Sequence, residues 1–204
     1  MRAATVRPAR PADLAALGEF FAALSLRSRY LRFFAAITPQ PAMLRRMCGG
    51  VDGVDAVIAL DGGVIVGHAM AADDAGPDRG RTTDIGVVVA DRWQGRGTGS
   101  ALVRELLRRA AARGVTSVTM DVLHGNHEVV AIITSHWPDA RAGRGPDCLT
   151  VRAPVPPGPA GPGHGRPGED SVGQLAPGQG SQPCRSSSAS SRTSWEREPT
   201  PSFR

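Results

Sequence analysis

The residues best placed to do chemistry gather in one stretch, DIGVVVADRWQGRGTGSALVREL, Asp84 to Leu106. Gly95, Gly97 and Gly99 alternate there between a run of valines and an amphipathic, arginine-rich segment. A loop that opens a helix presents unpaired backbone N–H groups and the positive end of the helix dipole, roughly half a unit charge. Such a terminus holds anions, phosphates above all. Glycines let phosphate oxygens reach the N–H groups with no Cβ in the way. Arg92 and Arg96 add mobile positive charge, and Asp84 offers one carboxylate for proton transfer at the head of the valine run.

Three phosphate-loop patterns compete for this stretch. The P-loop, G-x-x-x-x-G-K-[ST], fails because the chain contains no Lys. The dinucleotide fingerprint G-x-G-x-x-G finds Gly95 and Gly97, but its third glycine falls on Ser100. Asp121 is only roughly placed for the acid that this fingerprint wants on the following strand. The pattern Q/R-x-x-G-x-G/A fits throughout, as Gln94-Gly95-Arg96-Gly97-Thr98-Gly99.

The elements that must position the loop follow from periodicity. TDIGVVVA reads as a strand that leads into the loop, and TGSALVRELLRRAAARG as the helix after it. In that helix Leu102, Val103, Leu106, Leu107 and Ala110 face one way, Arg104, Arg108 and Arg109 the other. Upstream, ATVRPA is a short strand. Pro11 suits a first helical position, and Leu14, Leu17, Phe20, Phe21 and Leu24 recur at helical spacing. LSLRSRYLRFFAA and PAMLRRMCGG are further helical stretches. DAVIALDGGVIVGHAMAAD holds two strands around a hairpin turn at Asp61-Gly62-Gly63. Downstream come a strand, VTSVTMDVL, a short helix, HEVVAIITSHW, and a closing strand, CLTVRAPV. The order predicts an α/β (α+β) domain centred on a strand–glycine loop–helix unit.

Composition bounds the rest. The 204 residues suit one ordinary domain with an extension, and with 41% hydrophobic but only 4% aromatic residues the core must be aliphatic. The net charge of +5 is carried by arginine without interleaved aromatics, which matches an arginine-rich composition better than a nucleic-acid footprint. Cys48, Cys148 and Cys184 are odd in number and far apart, which argues against a disulfide framework and paired-cysteine zinc. A reduced, cytoplasmic protein is expected, with no signal peptide and no membrane span. From residue 154 on, about half of the residues are Pro, Gly or Ser. That segment, 154–204, is expected to be a disordered tail on a domain formed by residues 1–153.

With strand, Trp-Gln, loop, helix, next strand and Asn126 in order, DIGVVVADRWQGRGTGSALVRELLRRAAARGVTSVTMDVLHGN resembles the central motif of the GNAT superfamily, the acyl-CoA-dependent N-acetyltransferases. The resemblance is strongest over residues 83–126. It implies a central, mixed, mostly antiparallel sheet flanked by helices, and direct transfer of an acyl group from acetyl-CoA to an amine, with no metal. It implies that the loop residues Arg92, Gln94, Gly95, Arg96, Gly97, Thr98, Gly99 and Ser100 hold the pyrophosphate. Val87, Val88 and Val89 would run beside the pantetheine arm, and a backbone N–H of Val88 or Val89 would polarise the thioester carbonyl. A β-bulge is usual here; without one, Asp84, Gly86 and Val88 share one face and Ile85, Val87 and Val89 the other. Asn126 would contact the CoA arm, or else serve a turn beside Gly125.

Asp84 stands where many members carry a general base. A free Asp titrates near 3.9 and an alkylammonium near 10.4, so direct transfer is uphill by roughly 9 kcal/mol. It would work through water, with a raised pKa, or on a desolvated amine; otherwise Asp84 binds the acceptor cation. The resemblance places a thiolate-protonating Tyr at what is here Ile133, and the chain's one Tyr is Tyr30. That departure motivates an alternative, a CoA-binding sensor or regulatory module without turnover. The segment Leu24–Phe34 resembles an acceptor-side helix and equally suits ordinary packing. His124 and His127 begin no metal site, since His-Glu-x-x-His would need His at Ala131. His68 is expected to face solvent rather than line an acceptor pocket.

Overall fold

The structure is a computed structural model that describes residues 4–51, 53–73 and 82–156. The expected tail lies outside the described residues from position 157 on; the last strand itself runs to Pro154, and Val155 after it is buried.

In chain order the elements are β1 (Thr5–Pro8), α1 (Leu14–Ala23), α2 (Leu26–Phe33), α3 (Pro41–Met47), β2 (Val54–Asp61), β3 (Val64–Asp73), β4 (Thr82–Val89), α4 (Thr98–Ala112), β5 (Ser117–Leu123), α5 (His127–His136), β6 (Arg141–Arg144) and β7 (Cys148–Pro154). They form one seven-stranded sheet in the order β1-β2-β3-β4-β5-β7-β6. Every neighbouring pair is antiparallel except β4–β5. This is the mixed, mostly antiparallel sheet flanked by helices that the family resemblance implies.

Two apolar clusters hold the layers. Leu17, Phe20, Phe21 and Leu24 of the α1 segment and Met47 of α3 bury against Ile58, Ile65 and Val88 on one face. Leu102, Leu106 and Ala110 of α4 bury against Val57, Ala59, Val66, Ala69 and Ile85, in a cluster that continues into β5, α5 and β7. Leu102 sits so close to β3 that a Cβ on Gly67 would meet its Cδ1 at 2.9 Å. Gly67 thus sets how near α4 lies to the sheet. At the far end of α4 the N–H of Val115 bonds Ala110 O and that of Gly114 bonds Ala111 O, closing the helix in a Schellman motif.

Two details depart from the expected picture. Arg109 does not point to solvent: with Arg113 it pairs with Asp55 of β2, which is 8% exposed. The helical angle explains this, since positions 102, 106, 109, 110 and 113 flank a single stripe. The strand β6 has no signature in the sequence. All four of its residues are exposed, and it exists because β7 offers an edge to pair with.

Candidate functional site

The site begins where β4 and β5 part. They pair in parallel only across Thr82–Asp84 and Ser117–Thr119. Beyond that point β4 continues to Val89 bonded to β3 alone, in an unbroken register from Asp73↔Thr83 to Gly67↔Val89. The expected bulge is therefore absent, and the alternation holds. Ile85, Val87 and Val89 pack on the α4 side, Val88 on the α1 side.

The unbroken ladder also decides which backbone donors are open. Ala90 N–H bonds Val66 O, and donors alternate sides along a strand. Val88 N–H is therefore turned toward His68 of β3, while those of Val87 and Val89 point to the parted edge. Of the two donors anticipated for a carbonyl, Val89 N–H lies at the parted edge, with that of Val87 beside it, and Val88 N–H is turned into the ladder.

The loop follows directly. A single turn, Asp91–Trp93, is anchored by the Asp91 carboxylate, which accepts from Ser25 Oγ at 2.6 Å, Ser28 Oγ at 2.9 Å and Ser25 N–H at 3.2 Å. The Ser25 hydrogen bonds hold the Asp91 carboxyl below its ordinary range. Ser25 also caps α2 by accepting from Ser28 N–H. The Gln94 side chain donates to Ser28 Oγ at 3.1 Å and to Val89 O at 3.0 Å. It braces the loop against α2, so its amide is committed to the protein. Ser25 and Ser28 were not singled out from the sequence; the only signal was a Ser ahead of an amphipathic run.

Gly95 and Gly97 adopt φ of +70° and +80°, with nothing within 4 Å of where a Cβ would stand. The left-handed backbone requires glycine there, and the space outside is open. Gly99 is ordinary helix: its Cβ would meet Val89 Cγ2 at 3.7 Å. The first helical hydrogen bond runs from Ala101 N–H to Gly97 O, so the N–H groups of Thr98, Gly99 and Ser100 have no acceptor within α4. Arg96 lies over Trp93, 5.4 Å from Cζ to the ring centre, and Arg92 is exposed. Unpaired N–H groups, a helix dipole, open space and two arginines suit a phosphate-bearing ligand.

The stretch that carries this constellation matches the model of the Acetyltransferase (GNAT) family, over residues 23–134. The chain belongs to the GNAT acetyltransferase family. This GNAT chain is 32% identical over 69 residues to the L-amino acid N-acetyltransferase of Escherichia coli K12, a match that spans 34% of the chain and 43% of that relative. Among solved structures it resembles the GNAT domain of a Streptomyces lividans protein, S. lividans PAT (TM-score 0.65, 23% identity, 74% of this chain and 90% of that one). It also resembles a Sinorhizobium meliloti phosphinothricin acetyltransferase in complex with acetyl-CoA (TM-score 0.62, 22% identity, 80% and 95%). Salmonella typhimurium yncA, solved with acetyl-CoA, is similar as well (TM-score 0.61, 18% identity, 79% and 99%).

The remaining site residues fall around the parted strands. Asp84 lies exposed where β4 and β5 separate, its Oδ1 accepting from Thr119 Oγ1 at 3.3 Å. Asn126 is the N-cap of α5, its Oδ1 3.5 Å from Val129 N. Ile133 is buried in the apolar cluster and Tyr30 is half exposed on α2. His68 is fully buried, against the solvent-facing expectation: its Nε2–H donates to Met47 O at 2.9 Å and its ring meets Phe21 edge-on. Burial pushes its pKa down to about 3. The paired register explains the position, since His68 lies opposite Val88 on the face covered by α1. His124 Nε2 bonds Gly145 O, and among the described residues no three His, Cys, Asp or Glu gather around a common point. Among the same residues no helix is long and apolar enough to cross a membrane.

Proposed function

We propose that the chain is an acyl-CoA-dependent N-acyltransferase that moves acetyl from acetyl-CoA to a primary amine, on a small molecule or a protein lysine, by direct attack. One observation carries this reading: the open backbone edge of β4 leads, through one turn and the glycine loop, to a helix terminus whose first N–H groups have no acceptor within the helix. An elongated ligand with an acyl arm at one end and phosphates farther along suits that strip. Acetyl-CoA bound to the Sinorhizobium and Salmonella relatives supports the choice of donor.

In this reading the N–H groups of Thr98, Gly99 and Ser100, with Arg92 and Arg96, hold the pyrophosphate. Gly95 and Gly97 keep its approach clear, and Gln94 braces the loop. Val87 to Val89 carry the pantetheine along the β4 edge. The Val89 N–H points at the developing oxyanion, where a preorganised donor lowers the barrier most. Asp84 takes the amine's proton through a water. Asn126 flanks the arm while capping α5. With Ile133 buried where the resemblance implies an acid, water protonates the leaving thiolate.

The buried Ile133 also favours the second reading, a CoA-binding module without turnover. Calorimetric titration with acetyl-CoA, CoA and NAD tests the site. Micromolar binding of the CoA species alone is expected, and its absence would overturn both readings. Thiol release in the presence of an amine then separates them, and Asp84→Asn is expected to lower kcat about 100-fold with CoA affinity unchanged.

A further inference from the structure

Arg32 occupies a position that stability does not explain. Its guanidinium lies flat over Gly86 of β4: a Cβ added there would meet Cζ at 2.5 Å and the two terminal nitrogens at 2.6 and 2.7 Å. Its Nε is closed to solvent and has no hydrogen-bond partner. The Phe33 ring lies 5.1 Å from Cζ. A buried donor without an acceptor destabilises a fold. The burial pushes the Arg32 pKa down, against the pull of the Asp84 charge. A Met or Leu would fill the same volume at less cost. Arg32 therefore makes sense as a group that awaits an anion.

Asp84 and Gly86 share one face of β4, two residues and thus about 6.6 Å apart. An ammonium bound at the Asp84 carboxylate and an anion bound at the guanidinium would lie on that one face, on neighbouring positions of it. An amine and a carboxylate on the same carbon can meet both groups at once, with a charge-assisted hydrogen bond to the guanidinium. Resting on the acyltransferase reading, we infer that Arg32 selects acceptors whose amine stands beside a carboxylate, the α-amino acids, by taking that carboxylate. A lysine side chain in a protein carries no anion at that distance and leaves the guanidinium unmet.

The test pairs each standard L-amino acid with its primary amide as acceptor for the full chain and acetyl-CoA, read by thiol release. The acids are expected to show KM values about 100-fold below those of the amides. Arg32→Met is expected to erase this difference by raising KM for the acids, with kcat and CoA affinity little changed. It should keep or raise Tm, whereas an arginine with a merely structural role would lower Tm when removed. Gly86→Ala, whose Cβ displaces the guanidinium, is expected to erase the preference too. Calorimetry of the amino acids onto CoA-loaded and free protein reads the same site without turnover. Equal use of amides, a preference that survives Arg32→Met, or no amino-acid binding in either state overturns the inference. Failure to bind CoA sinks the acyltransferase reading itself, whereas CoA binding without acid–amide discrimination sinks this inference alone.

Discussion

On one face of β4, Ile85, Val87 and Val89 pack among Leu102, Leu106 and Ala110; on the other, Gly86 and Val88 lie beside the half-buried Arg32 and a buried imidazole. The first face is aliphatic except for Thr83, whose Oγ1 is buried without a partner. The second leaves Arg32 Nε and His68 Nδ1 buried without hydrogen bonds. Burial of alkyl groups stabilises in proportion to area, while unmet polar groups cost free energy. The α4 face thus holds the fold, and the α1–α2 face gives up part of that stability to keep polar groups beside the parted strands. Both faces share one strand, so the contrast reflects the partners and not the backbone.

Substitution can break this comparison. Leu102→Ala removes a fully buried side chain from the aliphatic face and is expected to cost about 3 kcal/mol, read by urea denaturation. A loss under 1 kcal/mol would mean that α4 is not the anchor.

The polar face should reveal itself through pH. Burial holds the folded His68 near 3, below its ordinary 6.5, so between those values the unfolded chain binds a proton that the native state refuses. Stability is whole above about pH 6.5 and drains as the pH falls toward 3. From pH 7 to pH 5 the loss is expected to be about 2 kcal/mol. Asp13 and Asp91, whose carboxyls are held low by Arg7 and Ser25, keep their contributions until the pH falls below the ordinary carboxylate range. The slope above pH 5 therefore belongs to His68 and should vanish in His68→Gln; a slope that persists would assign it elsewhere.

The loop joins the two faces and gives the smallest effects on stability. Gly97→Ala puts a Cβ on a backbone at φ +80° and is expected to cost about 1 kcal/mol, with weaker CoA binding. Gly99→Ala, in ordinary helix with a 3.7 Å contact, should be neutral or stabilise by a few tenths of a kcal/mol. Thermal melts of the pair sharpen the point: equal losses would show that both glycines are required for one reason.

Much of the fold was legible in local pattern. The spacing of Leu102, Leu106 and Ala110 identified α4 and its buried stripe, because helical periodicity is written in consecutive residues. Gly95 and Gly97 announced the loop for a similar reason, since backbone conformation limits residue type directly. β6 escaped notice because its four exposed residues carry no alternation, and a strand made by its neighbour's free edge has no signal of its own.

The candidate site divides in the same way. Sequence by itself determined the strand–loop–helix unit, the glycine positions, the arginines around them and the carboxylate of Asp84, all within a short span of chain. Tertiary structure alone decided that Val89 and not Val88 faces the opening, that Gln94 and Asp91 reach back to Ser25 and Ser28, and that Arg32 lies on Gly86. Those pairs are separated by more than fifty positions. Their meeting depends on sheet register and on where α2 packs, and no local preference encodes either.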